Sequence, residues 1–193
     1  ALFLLGIAGP AKAAIIDAGK YYLTKQQRSL GITESEIVKI AVRSMGLDDL
    51  KSFNPDEKII EYVLAAGDAP KRLVDMTCAD FADETASESP APGGGSISAY
   101  LGALGAALAA MVANLSSHKA GWDDRWQEFS DQAVKAQRIK DELLALVDED
   151  TDSFNRVMAA FGLPKNTPEE KAARSAAIQE ATKYATEVPI RTM

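Results

Sequence analysis

The 193-residue sequence is 47% hydrophobic and 25% charged, ordinary values for a chain that buries a core. It has 21 basic against 28 acidic residues, a formal net charge of −7, which argues against broad attraction to nucleic acid or anionic lipid but leaves room for a local basic pocket. One cysteine, Cys78, excludes an intrachain disulfide, and one histidine, His118, excludes a multi-histidine metal site; a reducing cytoplasmic setting is the expectation.

The chain opens on the apolar run Ala1–Ala8 with no basic residues before it. That pattern reads as an internal strand or buried segment of a longer protein, not a signal peptide. A first helix follows Pro10, with Ala13, Ile15, Ile16, Ala18 and Tyr22 as its apolar face and Gly31 as its stop. Thr33-Glu34-Ser35-Glu36 is a capping box, and Gly46 suits the left-handed position after the helix it opens. Asn54 and Pro55 start another helix that carries Ile59, Ile60, Tyr62, Val63 and Leu64. Residues 65–75, with Gly67 and Pro70, read as a linker. Thr77 and Asp80 then cap a short helix through Ala86.

Ser89 to Ser117 contains no charge. Its first part, Pro92-Gly93-Gly94-Gly95-Ser96, is expected to stay outside helix because each glycine loses so much backbone entropy. A long helix is predicted from Ile97 to about Leu115. The run is mostly Ala and Gly, which counts against a membrane span. Small residues at four-residue spacing (Ala99, Ala103, Ala107 and Gly102, Ala106, Ala110) suit a central bundle helix or one at a subunit interface. A loop around His118 leads to a long helix whose face includes Trp126, Phe129, Ala133, Ala136, Leu143 and Val147. Thr167-Pro168-Glu169-Glu170 opens a last helix, and Pro189 is expected to interrupt it.

The candidate catalytic residue is Asp150. Val147, Asp150, Phe154, Val157 and Phe161 advance by 3, 4, 3 and 4 residues, so Asp150 takes a position on an apolar stripe while Asp148, Glu149 and Asp152 fall off it. Desolvation of such a carboxyl group favours its neutral form, which a general acid near neutral pH requires. A buried acid satisfied by a helix end or a partner subunit fits the same spacing. A calcium loop over Asp148, Asp150 and Asp152 fails, because Ser153 stands at its sixth position and Ala159 at its twelfth.

Gly93, Gly94, Gly95 and Ser96 are candidate substrate-binding residues. They lack the Gly-Lys-Ser/Thr end of a Walker loop and the spaced glycines of a dinucleotide fingerprint. Free N–H groups at the following helix start could hold an anion or a polar ring edge; equally, glycine lets a loop cross another helix closely. Lys119 is a candidate contact for a ligand carboxylate, and also an ordinary exposed lysine. Cys78 reads as a packing residue, and no metal site is expected.

Four motifs in order resemble the formimidoyltetrahydrofolate cyclodeaminase family: Ala86–Ser96, the Ala/Gly helix to Asn114-Leu115, Leu146–Asp150 and Leu163–Lys171. Asp17–Tyr22, Leu47–Leu50 and Phe53–Tyr62 are similar to the end of glutamate formimidoyltransferase. The two in that order resemble the bifunctional family of histidine breakdown. The resemblance implies a mainly α fold: an all-helical cyclodeaminase bundle, truncated at residue 193, behind the helical tail of an α/β transferase subdomain. It implies residues 1–64 as the end of the transferase, 65–75 as a linker and 76–193 as the first part of the cyclodeaminase, neither domain complete. It implies tetrahydrofolate as one-carbon carrier, with no metal, and a homo-oligomer with no nucleic acid or membrane partner. The family's acid falls on Asp150, where N10 of the folate attacks the formimino carbon and ammonia leaves. The transferase's catalytic histidine has no match in His118, so transferase activity is expected to be missing. The alternative reading is a catalytically silent helical assembly module.

Overall fold

A computed structural model of the chain describes residues 10–49, 51–65 and 72–193. The apolar run Ala1–Ala8 and most of the expected linker lie outside the described residues. Among those described, the structure is helical with no strand. Its helices are α1 (Lys12–Lys25), α2 (Glu34–Ser44), α3 (Pro55–Lys58), α4 (Ile60–Ala65), α5 (Cys78–Ala86), α6 (Gly94–Ser116), α7 (Trp126–Phe161) and α8 (Pro168–Thr192), with 3-10 turns at Leu73–Asp75 and Asp123–Arg125. The chain forms two compact units: Ala1–Pro70 with Ala107–Gln137, and Lys71–Ala106 with Arg138–Met193. Thus α6 and α7 each give one part to either unit.

In the first unit, Ile15, Val38, Ala41, Val42 and Ile59 form the core, with Leu47, Phe53 and Tyr62 packed around it. Local signals set the ends of α2. Thr33 accepts from Glu36 N–H, and the Glu36 side chain accepts in return from Thr33 N–H. At the other end, Gly46 (φ +64°) is left-handed, Gly46 N–H donates to Arg43 O and Leu47 N–H to Val42 O. This is the Schellman arrangement, in which orphan helix carbonyls find donors.

The segment after α1 departs from expectation. The helix stops at Lys25, well before Gly31, through the same arrangement: Gln27 N–H donates to Thr24 O and Arg28 N–H to Leu23 O, with Gln27 itself left-handed (φ 52°). Gly31 does different work. Its backbone lies against α7, where a Cβ would fall 2.5 Å from Val134 N. Around it, Ser29 Oγ donates to Asn114 Oδ1 (2.6 Å) and Leu30 N–H to Ser130 Oγ (3.0 Å). Asn114 Nδ2 (2.8 Å) and Gln137 Nε2 (3.1 Å) both donate to Gly31 O. Three residues of the early chain are thereby fastened to α6 and α7 by buried polar groups, which must be paired once water is gone. The helix expected over Asn54–Leu64 is also broken. Ile59 is extended (ψ 122°) and fully buried, so α3 and α4 meet there at a kink that puts it in the core.

In the second unit, Ala99, Leu146, Val147 and Val188 are the core, flanked by Leu73, Val74, Phe81, Tyr100, Leu143 and Tyr184. Thr77 caps α5 by accepting from Asp80 N–H, and Thr167 with Glu170 forms the capping box of α8. Cys78 is exposed at the start of α5, not packed, with Sγ 3.9 Å from the Tyr100 hydroxyl. Pro189 sits inside α8 instead of ending it. It lacks one N–H, but the adjacent Val188 is fully buried and holds the helix in place.

Helix α6 presents two different faces. Ala99, Ala103, Ala110 and Ala113 are buried, whereas Leu101, Leu104, Leu108, Met111 and Leu115 are 46–67% exposed. The small residues face inward because they let neighbouring backbone approach. The large ones are left on the surface. By length and composition α6 would also meet the criterion for a membrane-crossing helix.

Candidate functional site

The candidate site lies where the start of α6 meets the middle of α7. Gly93 is the residue before α6, and its carbonyl accepts the first helical bond, from Ile97 N–H. A glycine there has no side chain to offer the unpaired N–H groups of the first turn, as Ser, Thr or Asp would. Asp150, 54 residues beyond Ser96, supplies the missing acceptor: its Oδ2 takes the Ser96 N–H at 2.8 Å. The carboxylate also sits at the positive end of the α6 dipole, the favoured place for an anion. The Ser96 hydroxyl is 2.8 Å from Val147 O and 3.1 Å from Asp150 Oδ2, so its single proton serves one of the two at a time. Thr151 Oγ1 is 3.3 Å away on the same side.

This geometry accounts for the helical conformation of Gly94 and Gly95, which were expected to lie outside helix. The carboxylate of Asp150 stabilises a first turn that glycine alone disfavours. Gly95 is required for a second reason: a Cβ there would lie 2.5 Å from Asp150 Cγ and 2.7 Å from Oδ2. Gly93 and Gly94 differ, since a Cβ on either would meet nothing within 4 Å. The two readings of the glycine run therefore divide. Gly95 provides close approach between helices, while Gly93 and Gly94 border open space.

The apolar stripe assigned to Asp150 is only partly apolar. Val147 is fully buried, but Phe154 and Phe161 are 36% and 51% exposed, and the buried residues further along α7 are Ser153 and Ala160. Asp150 is half-buried, and its neighbours on α6 are polar donors. Of the alternatives that the spacing allowed, the helix end is the partner observed.

Two neighbouring carboxylates, off the stripe by spacing, have partners of their own. Asp148 Oδ1 accepts from Leu73 N–H at 2.6 Å, and its buried Oδ2 has no partner among the described residues. Glu149 accepts from Tyr184 Oη (2.6 Å) and, through both oxygens, from Arg191 (2.6 and 3.0 Å). Successive residues on a helix turn by about 100°, so three acids in a row reach three elements: the turn at Leu73, helix α8 and the start of α6. That consequence was readable from the run itself; Tyr184 and Arg191 as partners were not, because only the fold brings α8 to α7.

The Arg191 guanidinium, and next the Tyr184 hydroxyl, hold the Glu149 carboxyl below its usual value of 4.5. A carboxyl group with a lowered folded-state pKa stabilises above its unfolded value and loses that contribution as pH falls through the folded value. Glu149→Gln is therefore expected to lower thermal stability at pH 7, and the deficit should shrink steadily between about pH 5 and pH 3. Melting curves of both proteins across that range test it.

Lys119 is not brought to this site. It follows the opposite end of α6, exposed, with Nζ 4.3 Å from the Trp122 ring centroid. His118 is beside it. Among the described residues, no group of three or more His, Cys, Asp or Glu side chains is arranged to hold a metal ion.

Comparison with known proteins places this geometry in context. The family model described as formiminotransferase-cyclodeaminase matches residues 77–193, and that of the formiminotransferase domain matches 4–65. The formimidoyltransferase-cyclodeaminase of Gallus gallus is 39% identical over 178 residues, covering 92% of this chain and 33% of that protein. The methenyltetrahydrofolate cyclohydrolase of Methylorubrum extorquens is 45% identical over 114 residues, 59% of this chain and 55% of that one. The crystal structure of formiminotetrahydrofolate cyclodeaminase from Thermotoga maritima superposes with a TM-score of 0.50 at 32% identity, over 61% of this chain and 54% of that chain. The chain spans about a third of the length of the bifunctional relatives it matches. With a family model covering well over half its residues, the chain belongs to the formiminotransferase-cyclodeaminase family.

Proposed function

We propose that the chain carries the cyclodeaminase acid of a folate enzyme, converting 5-formimidoyltetrahydrofolate to 5,10-methenyltetrahydrofolate and ammonia, with residues 1–64 as the end of a formimidoyltransferase that moves the formimino group from formiminoglutamate to tetrahydrofolate. The observation that carries this reading is Asp150, fixed by Ser96 at the head of a glycine-led helix. In the reaction N10 of the folate forms a bond to the formimino carbon, and the C–N bond to the amino group breaks. N10 loses a proton as its bond forms and the departing nitrogen gains one; Asp150, held as a carboxylate by Ser96 N–H, would take the first and hand it on to the second. Gly93 and Gly94 border the space a folate ring would need, since no atom fills the place of a side chain there. On this reading the protein works in the cytoplasm, on a free or polyglutamylated folate, with no metal. The test is ammonia release with methenyl-folate formation by the protein that carries this chain; no turnover of the formimidoyl substrate would overturn it.

A second reading is supported by the similarity to the Methylorubrum extorquens cyclohydrolase. Opening of the methenyl ring by water uses the same folate carbon, and Asp150 would then handle a proton of water. Supplying methenyl-folate in the same assay separates the two, because only the cyclohydrolase reading expects its faster hydrolysis.

Self-association belongs to the proposal. Leu101, Leu104, Leu108, Met111 and Leu115 repeat at 3, 4, 3 and 4 residues on the exposed face of α6, the spacing of a helix–helix seam. A second copy of the chain fits that face. Leu108→Glu is expected to shift the protein toward monomer in sedimentation experiments without loss of helix content. A wild-type protein that sediments as a monomer would overturn self-association and, with it, the silent assembly-module reading.

A further inference from the structure

The first unit holds a feature that the folate reading does not use. A cavity of about 450 Å³ opens between α1, α2 and His118, the second residue after α6. Its apolar wall includes Tyr22, Ile32 and Ile40, and its polar wall Arg28, Lys39 and His118. A second cavity of about 400 Å³ adjoins it and shares Arg28 and His118. The volume is in the range of small-molecule sites, which pair an apolar wall with a few placed polar groups.

The charge arrangement selects the class of ligand. Among the described residues, neither Arg28 nor Lys39 nor His118 takes part in an ion pair. Two acids face the region. Glu36 on α2 lines the first cavity, but its Oε2 already accepts from Thr33 N–H and Oγ1. Asp123 lines only the second. Arg28 is set in place by its backbone, since its N–H closes the end of α1 on Leu23 O. Partial burial, and next the positive charge of Arg28, press the His118 imidazolium below its usual value. Arg28 and Lys39, neither in an ion pair among the described residues, outnumber the one carboxylate of the first cavity, Glu36, and stand with a His118 that a bound anion would charge; over an apolar wall this set is complementary to an organic oxyanion.

We propose that this cleft binds a small organic oxyanion, a carboxylate or phosphate ester on an apolar body, with Arg28 and His118 on the anion, Lys39 at the rim and Tyr22, Ile32 and Ile40 against the body. This inference is independent of the chemistry proposed for Asp150. A bound anion favours charged His118, so affinity is greatest below the His118 pKa and falls as pH rises through it.

The chain has a single histidine, so its imidazole proton signals report this site without ambiguity. The experiment follows the His118 titration by NMR at constant ionic strength, alone and with benzoate, phenyl phosphate, acetate or inorganic phosphate. Saturating benzoate or phenyl phosphate is expected to raise the His118 pKa by about one unit. The better of the two identifies the anion, and acetate and inorganic phosphate should bind at least tenfold more weakly for lack of an apolar body. In Arg28→Ala the pKa of the free protein should rise, because the repulsion is gone, and the ligand-induced shift should largely vanish. Lys39→Ala, at the rim, should weaken binding several-fold and keep the shift at saturation. An unchanged His118 titration with both aromatic anions, an equal response to acetate, or an undiminished shift in Arg28→Ala would overturn the proposal.

Discussion

Asp150→Asn is expected to cost the cyclodeaminase reaction about 10²–10⁴-fold in rate, the usual contribution of a positioned acid or base, with little change in stability. The asymmetry follows from the bonds around it. Asp150 accepts from Ser96 N–H, and the Asn carbonyl oxygen can do the same, so the start of α6 keeps an acceptor. What the amide cannot do is give up a proton to a leaving amine. Asp150→Ala removes both functions and should additionally destabilise the protein by about 1–2 kcal/mol, as loss of a helix cap does. Paired measurements of turnover and thermal melting in the protein that carries this chain separate the roles. Undiminished turnover in Asp150→Asn would leave Asp150 as a structural cap and move the search for the acid elsewhere. The same loss in both variants, with stability falling only in Asp150→Ala, is the expected pattern.

Gly31→Ala is expected to be the most destabilising single-methyl change, at about 3 kcal/mol or more. The added carbon would fall 2.5 Å from Val134 N, on helix backbone that cannot swing aside as a flexible side chain could. The displacement would also loosen the bonds from Asn114 and Gln137 to Gly31 O, leaving buried polar groups unpaired. For a chain of this size the melting temperature should fall by roughly 6–12 °C. Gly105→Ala is the control. It lies within α6 with nothing within 4 Å of the added carbon, so Ala should stabilise by about 0.5–1 kcal/mol through helix propensity alone. Similar melting temperatures for the two variants would contradict the packing described for Gly31.

Much of the fold was legible because its signals are local. Thr33, Thr77 and Thr167 each accept the N–H that their sequence context predicts, and Gly46 takes the left-handed position after α2. These features depend on three or four adjacent residues and need no knowledge of the rest of the chain. The helix around Asp150 was legible through periodicity, since one helix does run unbroken through the acidic run.

Three of the misreadings share a different cause. Gly94 and Gly95 are helical because a carboxylate distant in sequence, Asp150, accepts the Ser96 N–H of their turn, and no local propensity records that. Ile59 breaks a helix because the core needs its side chain. Gln27 adopts a backbone state that glycine would take more easily, while Gly31, the glycine nearby, is used for its lack of volume. The stripe through Phe154 and Phe161 failed for another reason: the packed face of α7 drifts to Ser153 and Ala160, small residues that a count of large apolar side chains passes over.

The three consecutive acids of α7 make the helix a rotational key. Asp148, Glu149 and Asp150 engage a turn, a helix and a helix start in three directions, so no axial rotation satisfies one of them at the expense of another. One residue inserted upstream within α7 would turn all three by about 100° and lose every engagement together. Seven inserted residues would return the rotation to within about 20° but carry all three about 10.5 Å along the axis, so the engagements would stay broken. The length of α7 before Asp148 is thus constrained in rise as well as in phase, and a library of insertions there should recover no folded protein, at seven residues or at one.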